Sequence, residues 1–341
     1  MKIKVAILGG SGYTALECIQ LLLRHPYAEI VAITSRQGEK DSTPFIAELH
    51  PRLAHRIDIR CQPFDARALK GQCVQCAFGC LPHGISMASI PSLLAEGIKV
   101  IDLSADYRLR DAKEYAQWYK HEHTDTANLA HAVYGLPEVY GDQLKNARLV
   151  ANPGCYPQTG ILGLAPLVEN QMIDLQNIII DSKSGVSGAG RSPSLTFHYP
   201  ECNESVAAYG VGTHRHTPEI EQTLSDLAKA PVQVIFTPHL IPMDRGIFST
   251  IYAMPKKPVE EKQLLDLYRQ YYRDARFVRV VDRLPASKDT VGTNYLDMTV
   301  RMVRGRIIVL ACEDNLLRGA SGVAVQNFNR VYGFEETLGL L

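Results

Sequence analysis

The chain of 341 residues has no surplus of charge, with 36 Lys and Arg against 36 Asp and Glu. A balanced charge offers no basic surface to draw in nucleic acid or an anionic membrane. No apolar run approaches the ~18 residues of a membrane span. There are no repeats and no low-complexity tracts. The opening "MKIKVAILGGSGY" is apolar only briefly before glycine interrupts it. It lacks the longer apolar core and cleavage site of a signal peptide. The expectation is therefore a cytoplasmic protein with neither nucleic-acid nor membrane partners. A second CxxC is also missing. "CVQCAFGC" (Cys73, Cys76, Cys80) contains one, with no His at zinc-finger spacing. It reads as a strand with Cys76 and Cys80 turned the same way as core residues, so no metal site is expected. Eight cysteines in such contexts fit a reducing compartment.

What is present is an ordinary globular composition, 46% hydrophobic and 21% charged. The length suits two domains. Residues 3–10, "IKVAILGG", read as a buried parallel strand ending in glycine. Residues 13–25 switch to helical spacing, with Leu16, Ile19, Leu22 and Leu23 on one face and Pro26 as the stop. "AEIVAITS" is a second strand. "VQCAFGCLP" and "IKVIDLS" are further strands around a helix-like "ISMASIPSLLAEG". This alternation predicts an open, parallel, Rossmann-type α/β sheet over residues 1–150. Beyond Asn152 the texture changes. A buried helix is predicted over residues 159–169, then a strand "NIIID" and a Gly/Ser loop "SKSGVSGAGRS". Strand-like runs "VQVIFTPHL", "GIFSTIYAM", "NYLDMTVRMV" and "GRIIVLACED" follow, with a helix over 259–274. These predict an α+β domain over 151–315 with a mixed or antiparallel sheet. Helical spacing returns in "LRGASGVAVQNFNRVYG", and residues 316–341 are expected to rejoin the first domain.

"GGSGYTA" follows the first strand and opens the first helix, so Gly10, Gly12 and Ala15 fit G-x-G-x-x-A. Such glycines permit a tight turn and close approach of a pyrophosphate, favoured at a helix N-terminus. Ser11, Tyr13 and Thr14 are candidate contacts in the same turn. The second strand ends Thr34-Ser35-Arg36, with no carboxylate for a ribose 2′-hydroxyl. Ser35 and Arg36 suit a 2′-phosphate instead, so NADP(H) is expected rather than NAD. "GCLPHG", with Leu81 and Pro82, ends a later strand on the same edge and is read as covering the cofactor.

The most reactive-looking stretch is "NPGCYP". Cys155 lies at the edge of a helix, where free amides and the helix dipole favour thiolate, and prolines stiffen the turn. A thiol beside a nicotinamide suggests attack on an activated acyl group, a thioester, reduction by hydride and release of an aldehyde. This needs an acid/base. "GTHRHTPE" offers His214 and His216 on either side of Arg215, ahead of a plausible helix start. "SGVSGAGR" (residues 184–191) is read as an anion nest of backbone amides for a phosphate. Arg215 and Arg245 are candidate holders of carboxylate or phosphate oxygens.

At these motifs the chain resembles the N-acetyl-γ-glutamyl-phosphate reductase family nearly end to end. The resemblance rests on "GGSGYTALECIQLLLRHP", "TSR", "HPRL", "LPHG", "DLSADYRL", "YGLPE", "NPGCYP", "SGVSGAGR", "HRHTPE", "FTPHLIPMDRG" and "RGASGVAVQNFN", in that order. It implies an NADPH-dependent reduction of an acyl phosphate in arginine biosynthesis and a homodimer or homotetramer. Cys155 is then the nucleophile, and the histidine cluster supplies the acid/base, His214 before His216. It further implies cofactor contacts at Ser187, Gly188 and Asn327, and substrate contacts at Arg108, Asn152 and Ser184. Three departures stand out: Gln158 where the family usually has Thr, Ala15-Leu16 after "SGYT", and Phe328 for a usual Met. Two relatives would share the chemistry. A reductase of a carrier-linked aminoadipyl or glutamyl phosphate should present a basic groove, of which the sequence has no sign. Aspartate-semialdehyde dehydrogenase differs in its cysteine and histidine contexts. A non-catalytic NADP sensor would have no use for Cys155 beside paired histidines.

Overall fold

The computed structural model describes residues 2–35 and 43–341. The chain divides into two compact units, Met1–Pro153 with Ala320–Leu341, and Gly154–Gly319. Arg36 lies outside the described residues.

In the first unit, β1 (Ile3–Leu8), β2 (Ala28–Thr34), β3 (Cys76–Gly79), β4 (Lys99–Asp102), β5 (Val133–Tyr134) and β6 (Leu149–Ala151) form one sheet. All its pairings are parallel, in the order β2-β1-β3-β4-β6-β5. A strand covered on both faces needs continuous apolar sequence. Accordingly Val5, Ala6, Ile7, Leu8 and every residue of β3 are buried. Cys76 and Cys80 are in this core, whereas Cys73 is exposed. The first helix spans Tyr13–Leu22, shorter than the spacing predicts. Leu23 is 36% exposed rather than on the core face. The chain leaves the helix ahead of Pro26, which disfavours helical geometry in the residue before it. His25 fixes the exit. Its Nδ1 accepts the Tyr27 amide at 3.1 Å, and Nε2 pairs with Asn329 Oδ1 at 2.8 Å. Asn329 belongs to the closing helix, Gly322–Tyr332, which packs on the first helix. Phe328 is fully buried there, edge-on to His25 and beside Phe78.

The second unit is built on seven further strands: β7 (Ile173–Ser184), β8 (Ala207–Ala208), β9 (Val234–Leu240), β10 (Ile247–Pro255), β11 (Val278–Val280), β12 (Leu296–Val303) and β13 (Arg306–Glu313). Their order is β11-β12-β13-β10-β7-β9-β8. The sheet is mixed: β7 with β9 and β11 with β12 are parallel, the other pairs antiparallel. β7 is much longer than "NIIID" and takes in the first three residues of the predicted loop. The helix predicted from residue 159 begins four residues earlier and runs Cys155–Glu169. Pro157 is tolerated because amides in a first turn have no intrahelical partner to lose. Residues 156–168 of this helix are all buried. Glycine lets it lie close to the sheet: a Cβ on Gly163 would stand 2.6 Å from Ile251 Cδ1. Tyr268 donates to the Gly163 carbonyl at 2.5 Å, and Thr159 Oγ1 pairs with Ser249 Oγ at 2.7 Å. The Cys155 helix and the helices Thr217–Ala228 and Glu261–Tyr271 pack together against this sheet. The alternate residues of β10 (Phe248, Thr250, Tyr252) point to the other face and are only half-buried. Ile235 of β9 is 63% exposed.

Candidate active site

The sequence-predicted site residues separate between the units. Gly10, Ser11, Gly12, Tyr13, Thr14, Ser35, Leu81, Pro82, Arg108, Asn152 and Asn327 lie in the first; Cys155, Ser184, Ser187, Gly188, His214, Arg215, His216 and Arg245 lie in the second.

In the first unit the chain passes from β1 to β2 on one side and to β3 on the other. The end of β1 is thus a topological switch point, where open parallel sheets bind ligands. Residues 9–14 form the turn there. The three glycines have different reasons to be glycine. Gly9, which the fingerprint reading overlooks, has φ of 81°, and a Cβ on it would meet the Cys80 carbonyl at 2.5 Å. A Cβ on Gly10 would strike Ile33 Cγ2 at 2.6 Å. Gly12 has ordinary φ, and its would-be Cβ meets nothing closer than Thr14 Oγ1 at 3.8 Å. Neither packing nor backbone accounts for Gly12. Open space over a helix start is what a closely approaching phosphate requires, so this turn fits a dinucleotide. The loop with Leu81 and Pro82 is tied down by buried Asp106, which accepts the amides of Gly84 (2.8 Å) and Met87 (3.2 Å) and the Tyr115 hydroxyl (2.8 Å). Ala105 N donates to His83 Nδ1 at 2.9 Å. Next to it, Asp102 is fully buried under the Ser86 and Ser104 hydroxyls. Burial, helped by Asp106, pushes its carboxyl up to about 6. Neither aspartate was singled out from sequence, although both stand in "DLSADYRL".

Arg108 and Asn152 are both buried. Arg108 Nε donates to the Asn152 carbonyl at 2.8 Å and its NH2 to the Leu103 carbonyl at 2.9 Å. Asn152 donates to the Ala320 carbonyl and accepts from Asn327 Nδ2, both at 3.0 Å. Asn327 Nδ2 also donates to the Gly135 carbonyl at 2.8 Å.

In the second unit Cys155 is the first residue of its helix, capped by Gly154 in extended geometry, and is half-buried. The Gly154 amide, just outside the helix, donates to Glu219 Oε1 at 2.7 Å. Glu219 is fully buried. It occupies the third position of its own helix, where an acidic residue reads as ordinary N-terminal charge. Nothing in the sequence tells that it reaches the nucleophile motif. Gly319 is the second surprise. Its would-be Cβ lies 2.8 Å from Cys155 Cβ and 3.1 Å from Glu313 Oε1. Bare backbone is required there, on a π-helical turn, Leu317–Ser321, whose Gly319 amide donates to the Asp314 carbonyl at 2.8 Å. Such turns concentrate at functional sites. Gln158, buried one turn along from Cys155, donates to the Arg318 carbonyl at 2.8 Å. The departure from Thr therefore fastens the thiol's helix to that same turn.

His214 and His216 pack ring to ring at 4.8 Å between centroids, and both lie edge-on to Tyr156. Tyr209, a residue not picked out from sequence, joins them: its hydroxyl is 2.9 Å from that of Tyr156 and its ring faces His214. Burial, with a smaller push from Cys155, moves the Tyr209 phenol up to about 12. Burial pushes His214 down to about 4, and Arg215 adds to this. Arg215 itself is exposed. Arg245 NH1 stands 3.7 Å from buried Asp314 Oδ2.

One expectation is overturned. The glycine-rich loop does not form an anion nest from its leading amides. Gly185, Val186 and Ser187 donate to the carbonyls of Gly246, Met243 and Asp244. The Ser187 hydroxyl is likewise taken, donating to Asp244 and accepting from Asn315. Ser184 ends β7 in the interior, its hydroxyl on the Gly185 carbonyl. The strand simply continues into paired turns, using the donors a nest would need.

Comparison with known proteins gives this geometry a lineage. The semialdehyde dehydrogenase NAD binding domain matches residues 4–147, and the semialdehyde dehydrogenase dimerisation domain matches residues 155–315. A protein named N-acetyl-gamma-glutamyl-phosphate reductase from Rhodopirellula baltica is 48% identical over 99% of this chain and 98% of its own. The chain belongs to the N-acetyl-γ-glutamyl-phosphate reductase family. A second reductase of that name, from Symbiobacterium thermophilum, is 47% identical over 100% of this chain and 98% of its own. Among solved structures, aspartate semialdehyde dehydrogenase II from Vibrio cholerae superposes with a TM-score of 0.72 at 16% identity, covering 96% of this chain and 98% of the other. The NADP complex of the Candida albicans enzyme gives 0.72 at 14%, covering 97% and 98%. At that identity they establish the fold alone. The family thus unites a Rossmann-type unit with an α+β unit, as the sequence pattern predicts. Among the described residues no helix is long and apolar enough to cross a membrane, and no cluster of His, Cys, Asp and Glu is placed to hold a metal.

Proposed function

We propose that this protein reduces N-acetyl-γ-glutamyl phosphate to N-acetyl-glutamate semialdehyde with NADPH, releasing phosphate in the third step of arginine biosynthesis. The observation that supports this most is Cys155: a half-exposed thiol opening a buried 15-residue helix, against bare backbone at Gly319, with a histidine pair around the next residue.

The thiolate attacks the acyl carbon; the C–S bond forms, the C–O bond to phosphate breaks, and a thioester remains on Cys155. The helix N-terminus favours the negative sulfur before attack and after its release. Residues 10–14 with Ser35, Arg36, Leu81, Pro82 and Asn327 would hold NADPH, which when bound would supply the hydride. Reduction leaves a tetrahedral adduct on sulfur, which breaks its C–S bond to give the aldehyde and free thiolate. The His214 and His216 pair serves the adduct's oxygen, supplying its hydrogen bond and its proton transfer between them, and Arg215 and Arg245 face the substrate's anionic oxygens. Arg108, Asn152 and Ser184 act mainly by holding main chain; Ser187 and Gly188 shape the loop after β7. NADPH absorbance tests this directly: turnover is expected with the acyl phosphate, and Cys155→Ser should abolish it while nucleotide still binds. Turnover by the Ser variant at the normal rate would remove Cys155 from the reaction.

We further propose a cytoplasmic homodimer or homotetramer, in keeping with eight free cysteines. The half-buried face of the second sheet, with Phe248, Tyr252 and exposed Ile235, is the surface a second copy would cover. A monomeric mass in sedimentation at micromolar concentration would contradict it.

A further inference from the structure

The two ring nitrogens of His214 are not equivalent. The backbone amide of His216 points at Nδ1 at 3.1 Å. An amide N–H can only donate, so Nδ1 must be the bare, accepting nitrogen. The neutral ring then carries its proton on Nε2. Nε2 makes no hydrogen bond among the described residues. The imidazolium form would set a second N–H against the His216 amide.

A histidine that acts as base has the opposite arrangement. Its Nδ1–H is donated, usually to a carboxylate, which leaves the Nε2 lone pair to receive a proton and steadies the cation that results. None of the groups around His214 does that. Its ring is walled by Tyr156 from the Cys155 helix, Tyr209 beyond β8, Phe236 of β9, and His216. The charged neighbour, Arg215, is a cation.

We infer that His214 is a neutral hydrogen-bond donor, offering Nε2–H to the acyl oxygen of the Cys155-bound intermediate, and is not the group that takes the thiol's proton. This rests on the acyl-transfer reading above. A neutral imidazole can polarise a carbonyl in this way without giving up its proton. Burial, which holds His214 down at about 4, agrees with a ring that stays neutral at working pH. The role of proton acceptor then passes to His216 within the pair.

The test has two arms on the whole enzyme. Histidine-selective 15N NMR of the unmodified protein, with the signals assigned through loss in His214→Gln, should show the Nε2–H tautomer at pH 7. An Nδ1–H tautomer or an imidazolium would overturn the inference. Kinetically, Gln places an amide N–H near the Nε2 position but cannot relay a proton. His214→Gln should keep kcat within roughly tenfold, while His214→Ala loses ~10²–10³-fold, the usual cost of one missing donor. The pH profile of Cys155 alkylation should be the same in both variants. Equal loss in Gln and Ala, or an alkylation profile moved toward free cysteine, would make His214 the base. Failure of the underlying acyl-transfer reading looks different: Cys155→Ser would still turn over.

Discussion

The nucleotide turn of the first unit is one stretch of chain, residues 9–14, set against Ile33 and Thr34 of β2 and Cys80 just past β3. His50 Nε2 at the Gly10 carbonyl (2.8 Å) and the Ser321 hydroxyl, which donates to the Thr14 carbonyl (2.9 Å), tie it from farther off. The thiol of the second unit has surroundings drawn from far along the sequence. Glu219 reaches the amide beside it across 65 residues, and Gln158 is fastened to Arg318 across 160. A ligand gripped by backbone needs only a glycine pattern and a strand before it. A nucleophile that must be aimed needs a fixed helix end, a bare backbone opposite and a positioned ring. The first kind of site is marked by local sequence, even where distant residues such as Ser321 help to tie it down; the second is marked only by tertiary packing.

The comparison should break most sharply at Gly319. Gly319→Ala puts a methyl 2.8 Å from Cys155 Cβ. Misplacing a nucleophile by about an ångström costs on the order of 10²-fold in rate. We expect kcat to fall by that factor with NADPH affinity nearly unchanged, measured by initial rates and nucleotide fluorescence titration. Retention of full kcat would mean that the backbone opposite the thiol is not confining it.

The reciprocal change is Gly12→Ala. Space is open at Gly12, so the variant should melt within a few degrees of the parent, yet bind NADPH at least ~10-fold more weakly by obstructing the phosphate. Gly9→Ala, with its φ of 81° and a carbonyl 2.5 Å away, should instead lose stability. Equal effects of the two on Tm would erase the distinction between a ligand glycine and a folding glycine.

The smallest effect concerns pH. Asp102 has a folded value raised to about 6 by burial, above its unfolded value. Folding therefore takes up a proton between those values. Its stabilising contribution is present below about pH 4 and is lost as pH rises through about 6, on the order of 2–3 kcal/mol at most. Asp102→Asn should flatten this part of the stability profile in urea titrations from pH 4 to 7. An unchanged slope would place the titration elsewhere.

The same contrast explains what could be read from residues alone. Continuous β-branched runs and G-x-G-x-x-A specify a strand, a turn and a helix within about 25 residues, and so the parallel sheet and its nucleotide end were legible. Cys155 was legible because helix ends and prolines are local signals. Glu219 was not, since an acid at the start of a helix has a sufficient local reason to be there. Gly319 was not, because only the fold brings it to Cys155. The glycine-rich stretch after β7 misled for the same cause. Glycine spacing tells that amides are unencumbered by side chains, but not that Met243, Asp244 and Gly246 already accept them. Tyr209 stands in an irregular segment between motifs, with no periodicity to mark it.

The most direct examination of the whole account is the mass of the protein after mixing with N-acetyl-γ-glutamyl phosphate in the absence of NADPH. Without hydride the thioester should accumulate, giving one acyl group per chain, localised to the Cys155 peptide and released when NADPH is added. An unmodified chain that nevertheless oxidises NADPH with the same substrate would show that no bond to sulfur is made, and the role assigned to the helix end would have to be abandoned.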